Sequence, residues 1–312
     1  MSVKVSIIIP VFNVAPYLTK CMESVCAQTL SDIEIIAVND ASTDNSLEIL
    51  RKFEKQDSKV KVINHPTNTR TAQCRNDGLD MATGEYVCFL DGDDYLDVDF
   101  CEKLYNLATR EHANIAKGVT KTFNTDGTVV VATDNEKIMQ DGKFAFMGHL
   151  LTGLYNRNFL TDNDIRFHID FFCFQIQAVY FANKVVCDNT ACYNYVRHAN
   201  SCDSDVFTIE KWTRLNLGHG NFIYDWINTH DYSDKVKKIY LERVKMLYFY
   251  GFDKLAPKDI AQGCKILADN LINHYDCGYQ TTNKQKLQRQ LFRHHPKTTK
   301  FDYIKNRLTA RI

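Results

Sequence analysis

One stretch decides the fold: Tyr86-Val87-Cys88-Phe89-Leu90-Asp91-Gly92-Asp93-Asp94. Its apolar half has the length and residue types of a strand that is buried on both faces. Placing three carboxylates at the carboxyl end of that strand is unfavourable, because like charges close together repel. A divalent cation would remove that cost, and hard carboxylate oxygens suit Mg²⁺ or Mn²⁺, which commonly bridge to phosphates. The stretch therefore indicates either a metal–diphosphate site or a solvated turn after a strand.

Strand and helix patterns alternate through the first hundred residues around this stretch. Four apolar runs of strand type occur, at residues 5–9, 33–38, 60–63 and 86–90. Helical spacing follows Pro16, follows the cap residues 42–45, and covers 71–82. Such alternation with short links predicts an α/β fold with a mainly parallel sheet and flanking helices. Since ligands bind outside the carboxyl ends of such strands, Asn39-Asp40 and the aspartates should face one crevice.

The pattern changes after residue 112. Two β-type runs, 115–122 and 128–133, flank Asn-Thr-Asp-Gly at 124–127, which is a hairpin signal. From about residue 206 onward the sequence has helical spacing and many aromatic residues, which we interpret as helix packing. The sequence therefore predicts a helical C-terminal region after the strand-rich part.

The composition is that of an ordinary globular chain, but its charge is unevenly distributed. Of 312 residues, 45% are hydrophobic and 24% are charged, and the formal net charge is zero. Residues 281–312, here called the basic tail, contain nine Lys or Arg and one acid. Apolar residues recur among these cations at nearly helical spacing. The basic tail is therefore either a packed C-terminal helix or a peripheral contact with an anionic membrane.

The lack of a visible targeting signal and the pattern of cysteines both favour a cytoplasmic location. No signal peptide and no run long enough to span a bilayer is visible. Eleven cysteines are scattered without paired spacing, which favours reduced thiols. We expect a cytoplasmic protein, located at the inner face of the cytoplasmic membrane if the basic tail binds lipid. No nucleic-acid partner is expected, because no nucleic-acid motif accompanies the basic charge.

Four segments occur in a diagnostic order: 6–13 (SIIIPVFN), 38–44 (VNDASTD), 75–86 (RNDGL with TGEY) and the aspartate cluster. Together they resemble the family 2 glycosyltransferases, densely over residues 1–100 and more thinly over 150–202. The resemblance implies a Rossmann-like, nucleotide-diphospho-sugar-binding A-type fold. It also implies a catalytic domain over 1–203, with a nucleotide-binding half over 1–112 and an acceptor half over 113–203, followed by the helical region 204–312.

The implied reaction is a metal-dependent, inverting transfer. A hexose or N-acetylhexosamine would pass from a UDP-sugar donor to a hydroxyl of a growing glycan or lipid-linked glycan, of the lipopolysaccharide, O-antigen or capsule type. On the donor side, Phe12 would form a wall for the base and Asp40 would accept the uracil imide N–H, with Pro10 and Val11 beside them. Arg75, a planar cation, would bind base or phosphate oxygens.

The resemblance also assigns the metal. Asp93 would be the main ligand of Mn²⁺ or Mg²⁺. Asp91 would contact the ribose or the metal, the adjacent Gly92 would also contact the donor, and His198 would add a further metal contact. A metal at this position would stabilise the charge that develops on the departing nucleoside diphosphate.

The resemblance also implies residues that cover the diphosphate and a catalytic base. Arg197 and Ser201 would close over the diphosphate. Family members usually carry the catalytic base in a Glu-Asp pair after a segment like 163–167, but the corresponding stretch here has a single acid, Asp170. Asp170 is the expected base, which would take the proton of the acceptor hydroxyl, and His168 is the alternative.

Two other interpretations compete with this one. The incomplete Glu-Asp pair is compatible with a non-catalytic protein that binds a nucleotide sugar or acts as a scaffold. A dehydrogenase on a doubly wound sheet is excluded, because residues 9–13 lack the glycines of a pyrophosphate turn.

Overall fold

The structure, a computed structural model, describes most of the chain. The described residues are 2–132, 139–140, 143–144, 152–169, 171–198, 208–253, 255–275 and 284–293. The chain divides into two compact units, Met1–Ala199 and Asn200–Ile312. Two residues of the predicted site, Asp170 and Ser201, lie outside the described residues, as does most of the basic tail.

The first unit begins with regular alternation of strands and helices. Its elements are β1 (Val5–Val11), α1 (Ala15–Cys26), β2 (Ile33–Asn39), α2 (Ser46–Gln56), β3 (Val60–Asn64), α3 (Arg70–Met81) and β4 (Tyr86–Phe89). It continues with β5 (Tyr95–Leu96), α4 (Phe100–Glu111), β6 (Ile115–Phe123), β7 (Val129–Ala132), β8 (Met139–Gln140), β9 (Lys143–Phe144), β10 (Gly153–Asn156), α5 (Arg157–Asp162), α6 (Phe171–Phe181) and β11 (Val185–Val196). All four strands predicted from the first hundred residues are present.

The main sheet has the order β3-β2-β1-β4-β10-β6-β11-β5, and β7 pairs with β6. The strands β3, β2, β1 and β4 run parallel, and every residue of β1 and β2 is buried. This matches a sheet covered on both faces and confirms the predicted α/β fold with a mainly parallel sheet. The short strands β8 and β9 pair separately.

The second half of the sheet combines predicted and unpredicted pairings. The hairpin of β6 and β7 forms as expected, and Gly127 has a positive φ of 84° in its turn. The antiparallel insertion of β10 between β4 and β6 was not predicted, nor was the parallel pairing of β11 with β6. These contacts join strands far apart in the chain, so no local pattern records them.

The second unit is helical. Its elements are α7 (Ile209–Lys211), a π-helical turn (Trp212–Leu217), α8 (Gly218–Thr229), α9 (Asp234–Asp253), a 3₁₀ turn (Pro257–Asp259), α10 (Ile260–Tyr275) and α11 (Lys284–Arg293). Trp212 is fully buried and donates to the carbonyl of Tyr248, 3.2 Å away, so aromatic residues do form this core. The helix α11 packs on α10 and buries Leu287 and Leu291. Among the described residues, no helix has the length and apolarity to cross a bilayer.

Candidate active site

The carboxyl ends of the parallel strands meet at one edge, as predicted. Val11 at the end of β1 is in register with Asn39 at the end of β2. The amide of Asp40 donates to the carbonyl of Val11 (2.8 Å), and the amide of His65 donates to the carbonyl of Asn39 (2.9 Å). The loops that follow β1, β2 and β3 are therefore fastened side by side. Leu90, which precedes the aspartate cluster, is likewise bonded to β1 through the carbonyl of Ile8.

Polar side chains lock the loop after β2 onto the start of α1. Asn13 has a φ of 54°, and its side-chain oxygen accepts from the amide of Thr43 (2.8 Å). Asp44 accepts from the amide of Ala15 on α1 and from the amide of Ser46 on α2, both at 3.0 Å. The residues predicted to cap α2 therefore also satisfy the first turn of α1, which has no cap of its own.

The predicted donor residues on β1 differ in what they expose. Pro10 and Val11 are buried in the sheet, so their side chains are packed and only backbone atoms remain for a ligand. Phe12, directly after the strand, is 48% exposed, which leaves a face of its ring accessible. Gly92 lies against the same strand end: a Cβ there would be 3.3 Å from the carbonyl oxygen of Pro10 and 3.1 Å from a methyl of Val14.

Asp40 is a buried carboxylate held by four donors. Its Oδ1 accepts from the amide of Thr69 (2.7 Å), from the hydroxyl of Thr69 (3.0 Å) and faces His65 Nδ1 at 3.2 Å. Its Oδ2 accepts from the amide of Arg70 (2.8 Å), whose φ is 74°. Burial alone would raise the pKa of Asp40, but the hydrogen bonds from Thr69, His65 and Arg70 outweigh it and lower the pKa. Asp40 is therefore an ionised acceptor at the strand edge.

Arg75 and Asp91 form an ion pair across the crevice. Arg75 lies on α3 and is 4% exposed, and its Nη2 donates to Asp91 Oδ1 at 2.7 Å. Its guanidinium carbon lies 5.4 Å from the ring centroid of Phe167. The ring and the carboxylate hold the cation in a fixed plane beside the aspartate cluster. Two residues that were predicted to bind the sugar-nucleotide donor are therefore in direct contact.

Asp93 and His198 also meet, although they are 105 positions apart. His198 Nε2 lies 2.9 Å from Asp93 Oδ2, and the imidazole stacks on the ring of Tyr17, with centroids 4.3 Å apart. Burial and the charge of Asp91 raise the pKa of Asp93, although the hydrogen bond from His198 opposes them. Asp93 and His198, which were predicted to bind the metal, therefore lie in contact with each other. The nearby negative charges of Asp91 and Asp93 repel.

Asp94 serves the fold. Its Oδ2 accepts from the hydroxyl of Tyr193 (2.6 Å), and its Oδ1 accepts from the amide of Val196 (2.8 Å). Burial, with the charges of Asp91 and Asp93, raises the pKa of Asp94 to about 9. This buried carboxyl group fastens β11 to the aspartate cluster and so brings His198, two residues after β11, to Asp93.

Arg197 stands apart from the assembled residues. It is exposed, and the contact that fixes its position is the hydrogen bond from its amide to the carbonyl of Phe123. The sequence did not point to His65, Thr69 or Tyr17, which hold Asp40 and His198. Apart from the place of His65 directly after a strand, we find no sequence signal for them, because each contact crosses between separate elements.

A second set of metal-ligand atoms surrounds Asp40. Asp40, His65 and Cys74 offer ligand atoms that lie within 4.8 Å of one another. A thiol with an imidazole favours zinc over Mg²⁺. The hydroxyl of Thr69, however, already lies 2.9 Å from His65 Nδ1, and burial with the charge of Asp40 raises the pKa of Cys74 to about 12. We therefore interpret this set as a hydrogen-bonded cluster around Asp40.

The sequence matches the model of Glycosyl transferase family 2 over residues 6–196, which extends from β1 to the end of β11. The chain belongs to this family. The family 2 resemblance inferred from the four ordered segments is therefore confirmed.

Curated relatives of this family 2 chain include EpsJ of Bacillus subtilis, an uncharacterised glycosyltransferase that is 34% identical over 63% of this chain and 62% of its own length. Another is the poly(ribitol-phosphate) beta-glucosyltransferase of Bacillus spizizenii, 34% identical over 53% of this chain and 27% of its own length. The chain spans less than two thirds of the length of these relatives.

The fold of this family 2 chain also matches a solved structure. Residues 1–349 of TarS of S. aureus, in complex with UDP, align with a TM-score of 0.70 at 20% identity, over 97% of this chain and 92% of that TarS chain. At that level of identity the likeness shows a shared fold. It agrees with the nucleotide-sugar fold expected from the sequence.

Proposed function

We propose that this chain is an inverting glycosyltransferase that moves a hexose or N-acetylhexosamine from a UDP-sugar to a hydroxyl of a growing surface glycan. One observation carries the proposal. The sheet edge that carries the ionised Asp40 also carries two paired aspartates. Asp91 pairs with Arg75, and Asp93 pairs with His198. A base acceptor beside an anionic cluster with a fixed arginine suits a nucleoside diphosphate.

The uracil base would lie between Phe12 and Asp40. The half-exposed ring of Phe12 offers a stacking surface, and the ionised Asp40 is an acceptor for the imide N–H of uracil. Arg75 would bind base or phosphate oxygens from its buried position. The shared fold with TarS, which was solved with UDP, supports this choice of nucleotide.

The ligand atoms of Asp91, Asp93 and His198 are of the types that suit Mn²⁺ or Mg²⁺. Asp93 and Asp91 offer hard oxygens, and His198 offers an imidazole nitrogen. Burial and the charge of Asp91, which together raise the pKa of Asp93, are the costs that a cation would offset. A divalent metal bound there would act as a Lewis acid on the leaving diphosphate. Arg75 holds Asp91 in place, and Tyr17 orients His198 for this role.

Asp170, outside the described residues, remains the proposed base for the acceptor hydroxyl, with the exposed His168 as the alternative. The name of the poly(ribitol-phosphate) beta-glucosyltransferase supports a hydroxyl-rich surface polymer as the acceptor.

Donor hydrolysis tests the proposal with the full chain. UDP-, GDP- and dTDP-sugars are incubated with Mn²⁺ or Mg²⁺, with and without EDTA, and free nucleotide is measured. We expect release from UDP-sugars, loss with EDTA, and a loss of at least about a hundredfold in Asp93→Ala. The matched control is Asp126→Ala, an exposed acid in the β6–β7 turn, which should keep full activity.

Two other outcomes would contradict the proposal. Full activity of Asp93→Ala would contradict the proposed site. UDP binding without hydrolysis or transfer across a panel of donors and acceptors would instead favour the non-catalytic nucleotide-sugar-binding protein.

A further inference from the structure

His65 lies between two carboxylates. It follows β3, and its backbone amide is tied to the carbonyl of Asn39, which places its ring beside Asp40. Nδ1 lies 3.2 Å from Asp40 Oδ1, and Nε2 lies 3.0 Å from Asp77 Oδ2 on α3. The side chains of Asp40 and His65 are 3% and 11% exposed, while that of Asp77 is 30% exposed. The ring thus connects a buried carboxylate to a helix at the surface.

The hydrogen-bonding capacity of these groups defines what the ring does. An ionised carboxylate only accepts, whereas an imidazolium donates from both nitrogens. His65 Nε2 lies within hydrogen-bond distance of Asp77, and Nδ1 lies within hydrogen-bond distance of Asp40 and of the Thr69 hydroxyl. These contacts on both sides of the ring restrict the rotation of the Asp40 carboxylate.

The two oxygens of Asp40 are left unequal. Oδ1 is engaged by Thr69 and His65, whereas Oδ2 accepts one bond, from the amide of Arg70. A carboxylate oxygen has two lone-pair sites, so Oδ2 keeps acceptor capacity for a ligand. Fixing Oδ1 therefore fixes the direction in which Oδ2 presents its second lone pair.

We propose that His65, anchored by Asp77, is a positioning residue that sets Asp40 for base recognition and thereby determines selectivity for uracil over cytosine. The proposal rests on the proposed function, in which Asp40 accepts from the base. Uracil carries a hydrogen on N3 and donates to a fixed carboxylate. Cytosine has a lone pair on N3, which faces the carboxylate and is repelled.

The test is nucleotide selectivity of the full chain. Dissociation constants for UDP and CDP are measured by calorimetry with Mn²⁺ present. The wild-type protein is expected to prefer UDP, and His65→Ala is expected to lower the UDP-to-CDP affinity ratio about tenfold. His65→Asn, whose amide can still donate to Asp40, should recover part of the ratio. A merely structural role would weaken UDP and CDP alike.

A second variant keeps the test decisive if His65→Ala unfolds. Asp77→Ala removes the anchor at a partly exposed position and should lower the ratio about threefold. Asp80→Asn is the control: it removes a charge from the same helix, where Asp80 pairs with Arg166 at the surface. The ratio should not change in this control.

Two outcomes overturn the inference, and they are distinguishable. An unchanged ratio in folded His65→Ala and Asp77→Ala, with a wild type that prefers UDP, overturns the role of His65 alone. A wild type without preference for UDP overturns the proposed function and this inference with it.

Discussion

At the scale of single residues, the buried carboxylates Glu34, Asp40 and Asp94 each accept hydrogen bonds from more than one residue. Glu34 on β2 is the clearest example, at 3% exposed. It accepts from the hydroxyl of Ser6 on β1, from the amide and hydroxyl of Thr83 before β4, and from Lys61 on β3, all within 2.8 Å. One carboxylate therefore joins three neighbouring strands to the segment that enters β4.

Glu34 should make the protein acid-sensitive. Burial alone would raise its pKa, but the hydrogen bonds from Lys61, Ser6 and Thr83 lower it from 4.5 to about 2. A lowered pKa gives stability that is complete above pH 4.5 and is lost as the pH falls toward 2. The difference is worth up to about 3 kcal/mol. Urea unfolding should show this loss of unfolding free energy between pH 5 and 2.

The variant Glu34→Gln isolates this contribution. It should be less stable than the wild type at pH 7, and the gap should shrink as the pH falls toward 2. Glu48→Gln, at an exposed position on α2, is the control and should not alter the profile. A gap that stayed constant with pH would contradict the assigned role of the charge.

At the scale of elements, helix α3 is set by one close contact with the sheet. A Cβ on Gly78 would lie 2.4 Å from Cγ2 of the fully buried Ile8 on β1. The absence of a side chain lets α3 approach the strand and brings Arg75, one turn earlier, to Asp91. The position of Arg75, which is predicted to bind the sugar-nucleotide donor, thus depends on Gly78 on the same helix.

Gly78→Ala distinguishes packing from helix propensity. Helix propensity alone predicts that the free energy of unfolding rises by about 0.5–1 kcal/mol, whereas overpacking against Ile8 lowers it by about 1–3 kcal/mol. We expect a net loss of about 1–2 kcal/mol in unfolding free energy, together with weaker UDP binding, because Arg75 is displaced. Thr71→Ala, exposed in the first turn of the same helix, should change stability by less than about 0.5 kcal/mol. Stabilisation by Gly78→Ala would show that propensity dominates.

At the scale of the whole molecule, a chain without net charge carries a concentrated basic segment. The part of the basic tail that the structure describes, α11, buries Leu287 and Leu291 in its own unit. The predicted apolar face of this helix is therefore used for packing, and a membrane contact there would depend on exposed cations such as Lys286 and Arg289.

Vesicle binding tests this contact. If the basic tail binds anionic lipid, the full chain should sediment with phosphatidylserine-containing vesicles, less so at high salt. The double variant Lys286→Gln/Arg289→Gln should weaken binding about tenfold or more, since each cation near such a surface adds about 1 kcal/mol. Lys258→Gln/Lys265→Gln, which removes two exposed cations elsewhere in the same unit, is the control. Equal binding of both double variants would contradict a role for α11.

Local sequence was sufficient for the parallel core and the location of the crevice. Apolar runs, cap residues and turn signals act over a few neighbouring residues, so β1 to β4 and the edge with Asp40 and Asp91 could be predicted from them. The same holds for the family, whose motifs lie in these loops.

The sequence by itself therefore determined the fold class, the ordered motifs and the side of the sheet where they meet. Only the tertiary structure decided which side chains touch: His198 reaches Asp93 across 105 positions, and His65 reaches Asp40 across 25. It also decided that Asp94 holds β11 while Asp93 faces His198. The physical reason is that these contacts depend on strand register and on burial, which arise only when distant elements pack together.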